Sequence, residues 1–300
     1  MRWETALTDY KIYLRLERGL SENSIASYGY DIQRFIDFIE LNDEKITPLS
    51  CKKEHIQTFV YTIAKTVNPR SQARQISGLK SFFNFLIFEG YRDDSPLDLI
   101  DSPKIGRKLP EVLQLNEIEK IISSIDLSNP LGHRNTAIVE TLYGSGLRVS
   151  ELINLRISDI YFDESLLLVT GKGNKQRLVP LGSICAKQLK LYLNDIRVHT
   201  AVKKEHQDIV FLNQHGRQLT RAMIFTIVRN ATANAGIEKK VSPHTFRHSF
   251  ATHLLENGAD LRSIQLMMGH ENITTTEVYM HVDTRHLSKT LNDFHPRSKC

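Results

Sequence analysis

Cysteine is scarce in this sequence: Cys51, Cys185 and Cys300 are scattered and form no CxxC pair. So sparse and odd a set argues against a disulfide framework and a zinc ribbon, and points to a reducing, cytoplasmic setting. No apolar run approaches the roughly 18 residues that a membrane span requires. The opening stretch MRWETALTDYKIYLRLERG mixes charges with apolar residues at helical spacing, so no secretory leader is expected in it. Glycine-rich nucleotide cradles are missing too. Gly144-Ser145-Gly146 lacks the later glycine of a dinucleotide fingerprint, and Tyr143 and Leu147 stand where a nucleophile elbow has its outer glycines. The turn GKGNK lacks the Walker spacing and leads into a β-prone run instead of a helix. His244 and His248 are four apart, the spacing of a helical zinc pair. Thr245, however, occupies the position of the metalloprotease glutamate, and Arg247 on the same face would repel a cation. Neither a metal nor a cofactor is expected.

What is present suits a folded protein of two domains. The chain has 300 residues, 41% of them hydrophobic and 24% charged, which is enough to bury a core and more than one compact domain usually needs. The net charge of +5 is unevenly placed. Residues 1–107 hold 15 Lys/Arg against 15 Asp/Glu, whereas residues 108–300 hold 24 against 19 and also 11 of the 12 histidines. A polyanion gripped mainly by the second part fits this balance.

Residues 3–100 read as helices alone. Leu7, Tyr10, Leu14 and their neighbours recur at helical spacing up to Gly19; Ser21 caps a second helix carrying Ile25, Ile32, Phe35 and Ile39. Thr47-Pro48 opens a third, and Asn68-Pro69 starts a fourth that runs through Leu79, Phe82, Phe83 and Leu86 to Gly90. Phe82, Phe83 and Phe85 are assigned to the core of this bundle. Residues 101–110, DSPKIGRKLP, read as a linker. Residues 111–300 mix helices, near 116–125, 134–143, 150–155, 184–198, 220–235, 243–257, 260–268, 274–280 and 284–292, with a hairpin of Leu166–Thr170 and Arg177–Leu181. The class is mainly α with a small antiparallel β-sheet.

The second part supplies what metal-free phosphodiester cleavage requires. Fixed cations must meet the charge on the non-bridging oxygens, and arginine suits because its fork donates two parallel hydrogen bonds. A nucleophile must store the bond as a covalent ester, and an acid must protonate the departing alcohol. Arg148 lies between a glycine turn and a helix start; Lys172 sits at the hairpin tip between Gly171 and Gly173. His244 and Arg247 share a face near a helix N-terminus, where the dipole favours a phosphate. His270 follows Gly269, and Tyr279 comes nine residues later. Glu151, just after Arg148, is expected to cap its helix and support the nearby cations.

That ordered set, with GLSENSIASYGYDIQRF, HTFRHSFATHLLENGADLRSIQLMMGH and TTTEVYMHV, resembles the tyrosine recombinases of the phage-integrase family, Xer type, and is most similar to their XerD branch. The resemblance spans nearly the whole chain. It implies an N-terminal four-helix, SAM-like core-binding domain (1–100) and a catalytic domain (111–300) that ends in a helix exchanged between subunits; Leu287 and Leu291 would be that helix's docking pair. It implies that Arg148 and Arg247 hold the scissile phosphate, with His244 and His270 completing its hydrogen bonds. Lys172 is the implied general acid for the 5′-hydroxyl, and Tyr279 the nucleophile that forms a 3′-phosphotyrosine. Arg74, with Arg70 and Lys80, is the implied DNA contact of the first domain. The implied partners are a double-stranded recombination site and a tetramer formed with itself or with a XerC-type protein, with activation by a DNA translocase of the FtsK type. The implied role is the resolution of chromosome dimers at segregation and cell division.

Overall fold

The computed structural model describes residues 1–42, 45–103, 106, 111–129, 131–269 and 284–298. They fall into two compact units, 1–108 and 109–300.

The first unit is a bundle of α1 (Trp3–Leu16), α2 (Glu22–Asn42), α3 (Lys53–Ala64) and α4 (Pro69–Phe88). Asn68 caps α4 through its side chain, which accepts from the Ser71 amide, and Pro69 fills the first helical position, where no amide is needed. Trp3, Tyr10, Phe35, Phe59, Phe82, Phe83 and Phe85 are buried together, as the spacing requires. Two polar tips are satisfied inside this aromatic core: Trp3 Nε1 donates to Ile46 O at 2.8 Å, and Tyr10 OH to Ser81 Oγ at 2.8 Å. Truncating any one of the fully buried rings to Ala is expected to cost about 3–5 kcal/mol.

The third helix starts later than its Thr47-Pro48 signal suggests. Thr47 and Ser50 bond each other's amides, and Arg92 donates to the carbonyls of Pro48, Leu49 and Cys51. These bonds hold a turn, and the helix forms only beyond it.

The second unit is built on α6 (Gly132–Gly144), which is buried around almost its whole circumference. Packed on it are α5 (Leu115–Ser123), α7 (Val149–Ile153), α8 (Ser183–Leu191) and α10 (Pro243–Glu256); α9 (Arg221–Asn234), α11 (Leu261–Met268) and α12 (Thr284–Phe294) pack in turn on these and on the sheet. A three-stranded antiparallel sheet, β1 (Ile160–Tyr161), β2 (Leu166–Thr170) and β3 (Gln176–Pro180), carries the expected hairpin, paired so that Leu167 faces Val179 and Val169 faces Arg177. The helix expected over 184–198 changes after Leu191 into a π turn and then a 3-10 turn.

Helix α12 rests on its own unit, with Leu287 and Leu291 buried in the core and Asn257 Nδ2 donating to Phe294 O at 2.7 Å. The apolar stripe that suggested a helix in need of an outside partner is thus covered within the chain. Residues 274–280, expected as a short helix, lie outside the described residues. No described helix is long and apolar enough to cross a membrane.

Candidate active site

The site begins where α6 ends. Gly146 has φ +58°, and a Cβ on it would lie 2.4 Å from the Phe250 ring of α10, so only glycine fits the turn. The turn delivers Arg148 as the N-cap residue of α7. Glu151, three residues on, accepts the Arg148 amide at 2.8 Å through one carboxylate oxygen and Arg148 Nη1 at 2.8 Å through the other. The second arm of the fork, Arg148 Nη2, donates to Gly269 O at 2.8 Å. Arg148 remains about one-third exposed (32%), so its guanidinium is both held and open to a ligand.

Arg247 enters from α10, whose start is fixed by Ser242 as cap and Pro243 at the first position. Its Nη1 donates to Gly146 O at 2.6 Å, and its Nη2 to Met268 O. Burial pushes its pKa down to about 9, the charge of Arg148 adds to that fall, and Glu151 opposes it. It is still cationic at neutral pH.

Arg148 and Arg247 therefore end on adjacent carbonyls, those of Gly269 and Met268, at the C-terminus of α11. Gly269 closes that helix in a left-handed conformation at φ +62°. His270 is the next residue in the chain. It lies outside the described residues, as does Tyr279. Lys172 is in the short 3-10 turn at the hairpin tip, and its side chain is likewise not described. His244 is exposed in the first turn of α10, three residues before Arg247.

Glu151 is the centre of the arrangement and plays the capping and supporting part expected of it. Burial alone would raise its pKa. Hydrogen bonds and charge from Arg177 and the bonds from Arg148 outweigh that, and hold the carboxylate below the usual range. Arg177 meets it with both arms, at 2.8 and 2.9 Å, and Arg247 Nη1 lies 3.7 Å away. Three guanidinium groups against one carboxylate leave a positive excess, as an anion site requires.

Sequence reasoning missed Arg177. The available signal was its register: on β3 it is buried like Val179 two residues later, so a cation stands in an inward position. It also missed Glu140, buried in α6, which accepts Arg297 Nη2 at 2.5 Å across 157 residues of chain.

In the first unit Arg74 is 46% exposed and bonds Asp31 Oδ2 at 2.5 Å and Ser27 Oγ at 3.0 Å, so part of its charge is committed inside the bundle. Arg70 is exposed and Lys80 half-buried on the same helix. Among the described residues no group of three His, Cys, Asp or Glu is placed to hold a metal ion.

The N-terminal SAM-like domain of phage integrases matches residues 7–90, and the phage integrase family itself matches residues 111–286. The chain belongs to the phage integrase family. Tyrosine recombinase XerD of Listeria monocytogenes is 41% identical over 97% of this chain and 99% of its own length. Its namesake in Oceanobacillus iheyensis is 40% identical over 98% and 99%. Among solved structures, XerH site-specific recombinase bound to difH substrate in a pre-cleavage complex aligns with a TM-score of 0.65 at 25% identity, over 88% of this chain and 78% of that one. The chain is a tyrosine recombinase of XerD type, an enzyme of site-specific DNA cleavage and rejoining. Arg148, Lys172, His244, Arg247, His270 and Tyr279 all fall within the stretch matched by the family.

Proposed function

We propose that the reaction runs through Tyr279, on a double-stranded recombination site, with Arg148 and Arg247 gripping the scissile phosphate. The observation that carries this reading is the convergence of both guanidinium groups on the Met268 and Gly269 carbonyls, around a carboxylate outnumbered by cations. His244, on the helix of Arg247, and His270, next after Gly269, complete the hydrogen bonds to the non-bridging oxygens. The phenol of Tyr279 attacks phosphorus, the bond to the 5′-oxygen breaks, and Lys172 protonates that oxygen. The phenol proton passes to solvent, and Lys172 regains from solvent the proton it gives the 5′-oxygen, so the step is neutral overall. The 3′-phosphotyrosine keeps the bond energy for rejoining.

Paired cleavage requires a tetramer on DNA, formed with a second copy or a XerC-type partner, and a translocase of the FtsK type is the candidate activator. Helix α12 is the element to be exchanged: the seat that holds Leu287 and Leu291 within one chain would accept the same helix from a neighbour. Arg70, Arg74 and Lys80 are assigned to the DNA backbone, the setting is the cytoplasm, and the role is resolution of chromosome dimers.

A nicked suicide duplex bearing a recombination site tests the chemistry. Wild type should accumulate a covalent protein–DNA adduct, and Tyr279→Phe should bind the duplex and form none. An adduct that persists in Tyr279→Phe overturns the nucleophile assignment.

A further inference from the structure

We infer that Arg177 is a positioning residue for this reaction, the joint through which the hairpin, the Arg148 turn and the end of α11 are held in one geometry. The inference rests on the phosphate-site reading above. Arg177 is buried on β3 and every arm of its guanidinium is used. Nη1 and Nη2 grip Glu151, which in turn holds the amide and fork of Arg148. Nε donates to Met267 O at 2.8 Å. A Cβ on Gly269 would lie 3.1 Å from Arg177 Cδ, Cζ and Nε, so the guanidinium lies against the backbone immediately before His270. A Cβ on Gly171 would lie 3.5 Å from Arg177 Nη1, so the same group also borders the residue before Lys172.

One side chain thus borders the chain next to Lys172 and next to His270, and reaches Arg148 through Glu151. The charge balance gives it a second task. Glu151 without Arg177 would face only Arg148 and Arg247, and would compete with the phosphate for both. With Arg177 occupying both carboxylate oxygens, Glu151 can orient Arg148 without cancelling it.

The test is single-turnover adduct formation on the nicked duplex at saturating DNA, with duplex affinity and thermal melting measured alongside. Arg177→Met should slow adduct formation on the order of 10²-fold, the scale of a small misplacement of reacting groups, with duplex affinity within about threefold of wild type. Arg177→Lys keeps the charge and one donor but not the fork; it should recover roughly tenfold of that loss, and it carries the test if Arg177→Met fails to fold. A purely structural role would instead lower the amount of adduct, through loss of folded enzyme, and leave the rate of the surviving fraction unchanged. That outcome, or a wild-type rate in the folded variant, overturns the inference. The two levels separate cleanly: if wild type itself forms no adduct, the chemistry assigned to Tyr279 is at fault and not the role of Arg177.

Discussion

The α-carbon of Gly146 lies against the ring of Phe250, so close that a methyl group there would overlap three ring atoms at 2.4–3.0 Å. The same glycine offers its carbonyl to Arg247. Close backbone approach and guanidinium placement are therefore one feature of the fold. Gly146→Ala adds a left-handed residue, about 1–2 kcal/mol, and an overpacked contact, about 1–3 kcal/mol. Urea unfolding should show a loss of about 3 kcal/mol, accompanied by slower adduct formation. A midpoint indistinguishable from wild type would mean that the turn relaxes freely.

Arg148 and Arg247 should differ in what their removal costs. Arg148 is partly exposed, and water can replace it at Gly269 O. Arg247 is buried, and its loss strands the carbonyls of Gly146 and Met268. Each unsatisfied buried group costs about 1–3 kcal/mol. Arg148→Ala should thus abolish adduct formation with stability within about 1 kcal/mol of wild type, while Arg247→Ala loses both. Equal destabilisation in denaturant titrations of the two variants would contradict this account.

Much of this was legible in the chain because its signals are local. Asn68-Pro69 and Ser242-Pro243 mark helix starts whatever surrounds them, and the aromatic stripe of α4 announces a buried face. The candidate residues could be named in order because their motifs sit at turns and helix ends. What escaped depends on partners far along the chain. Arg177 gains its meaning only when β3 brings it to Glu151, 26 residues away, and to Met267, 90 residues away. Glu140 and Arg297 are separated by 157 residues. β1 has two residues, too few to show an alternation. The stripe of α12 was visible, but nothing local says which surface receives it.

If the partner is a duplex gripped through its phosphates, affinity must fall steeply with salt. Release of counterions from ~6 neutralised phosphates implies a log–log slope of about −5. Titrating a labelled duplex between about 50 and 200 mM salt measures it. Arg70→Ala and Lys80→Ala should each flatten the slope by about one if each meets a phosphate. Arg74→Ala should change it less, because Asp31 already shares its charge. A slope near zero in wild type would exclude backbone binding of this kind.

The anchoring of α12 should depend on pH through His295. Its ring is buried 4.7 Å from Tyr143 and 5.5 Å from Phe250, and Nε2 has no partner among the described residues. Burial, with the charges of His253 and Arg297 added, pushes its pKa down to about 3. The undocked segment takes up a proton below about 6.5, whereas the docked one stays neutral until about 3. Between those values the undocked state binds more protons, so docking weakens as pH falls and is strongest above about 6.5. The slope is roughly 1.4 kcal/mol per pH unit, or about 2 kcal/mol lost by pH 5. His253, shifted in the same direction, adds to the effect, whereas Glu140, whose carboxyl burial pushes up, opposes it. His295→Phe isolates the group: it fills the same space and carries no proton. Amide exchange in α12, corrected for its intrinsic pH dependence, should quicken between pH 7 and 5 in wild type and much less in His295→Phe. Equal acceleration in both would place the proton uptake elsewhere.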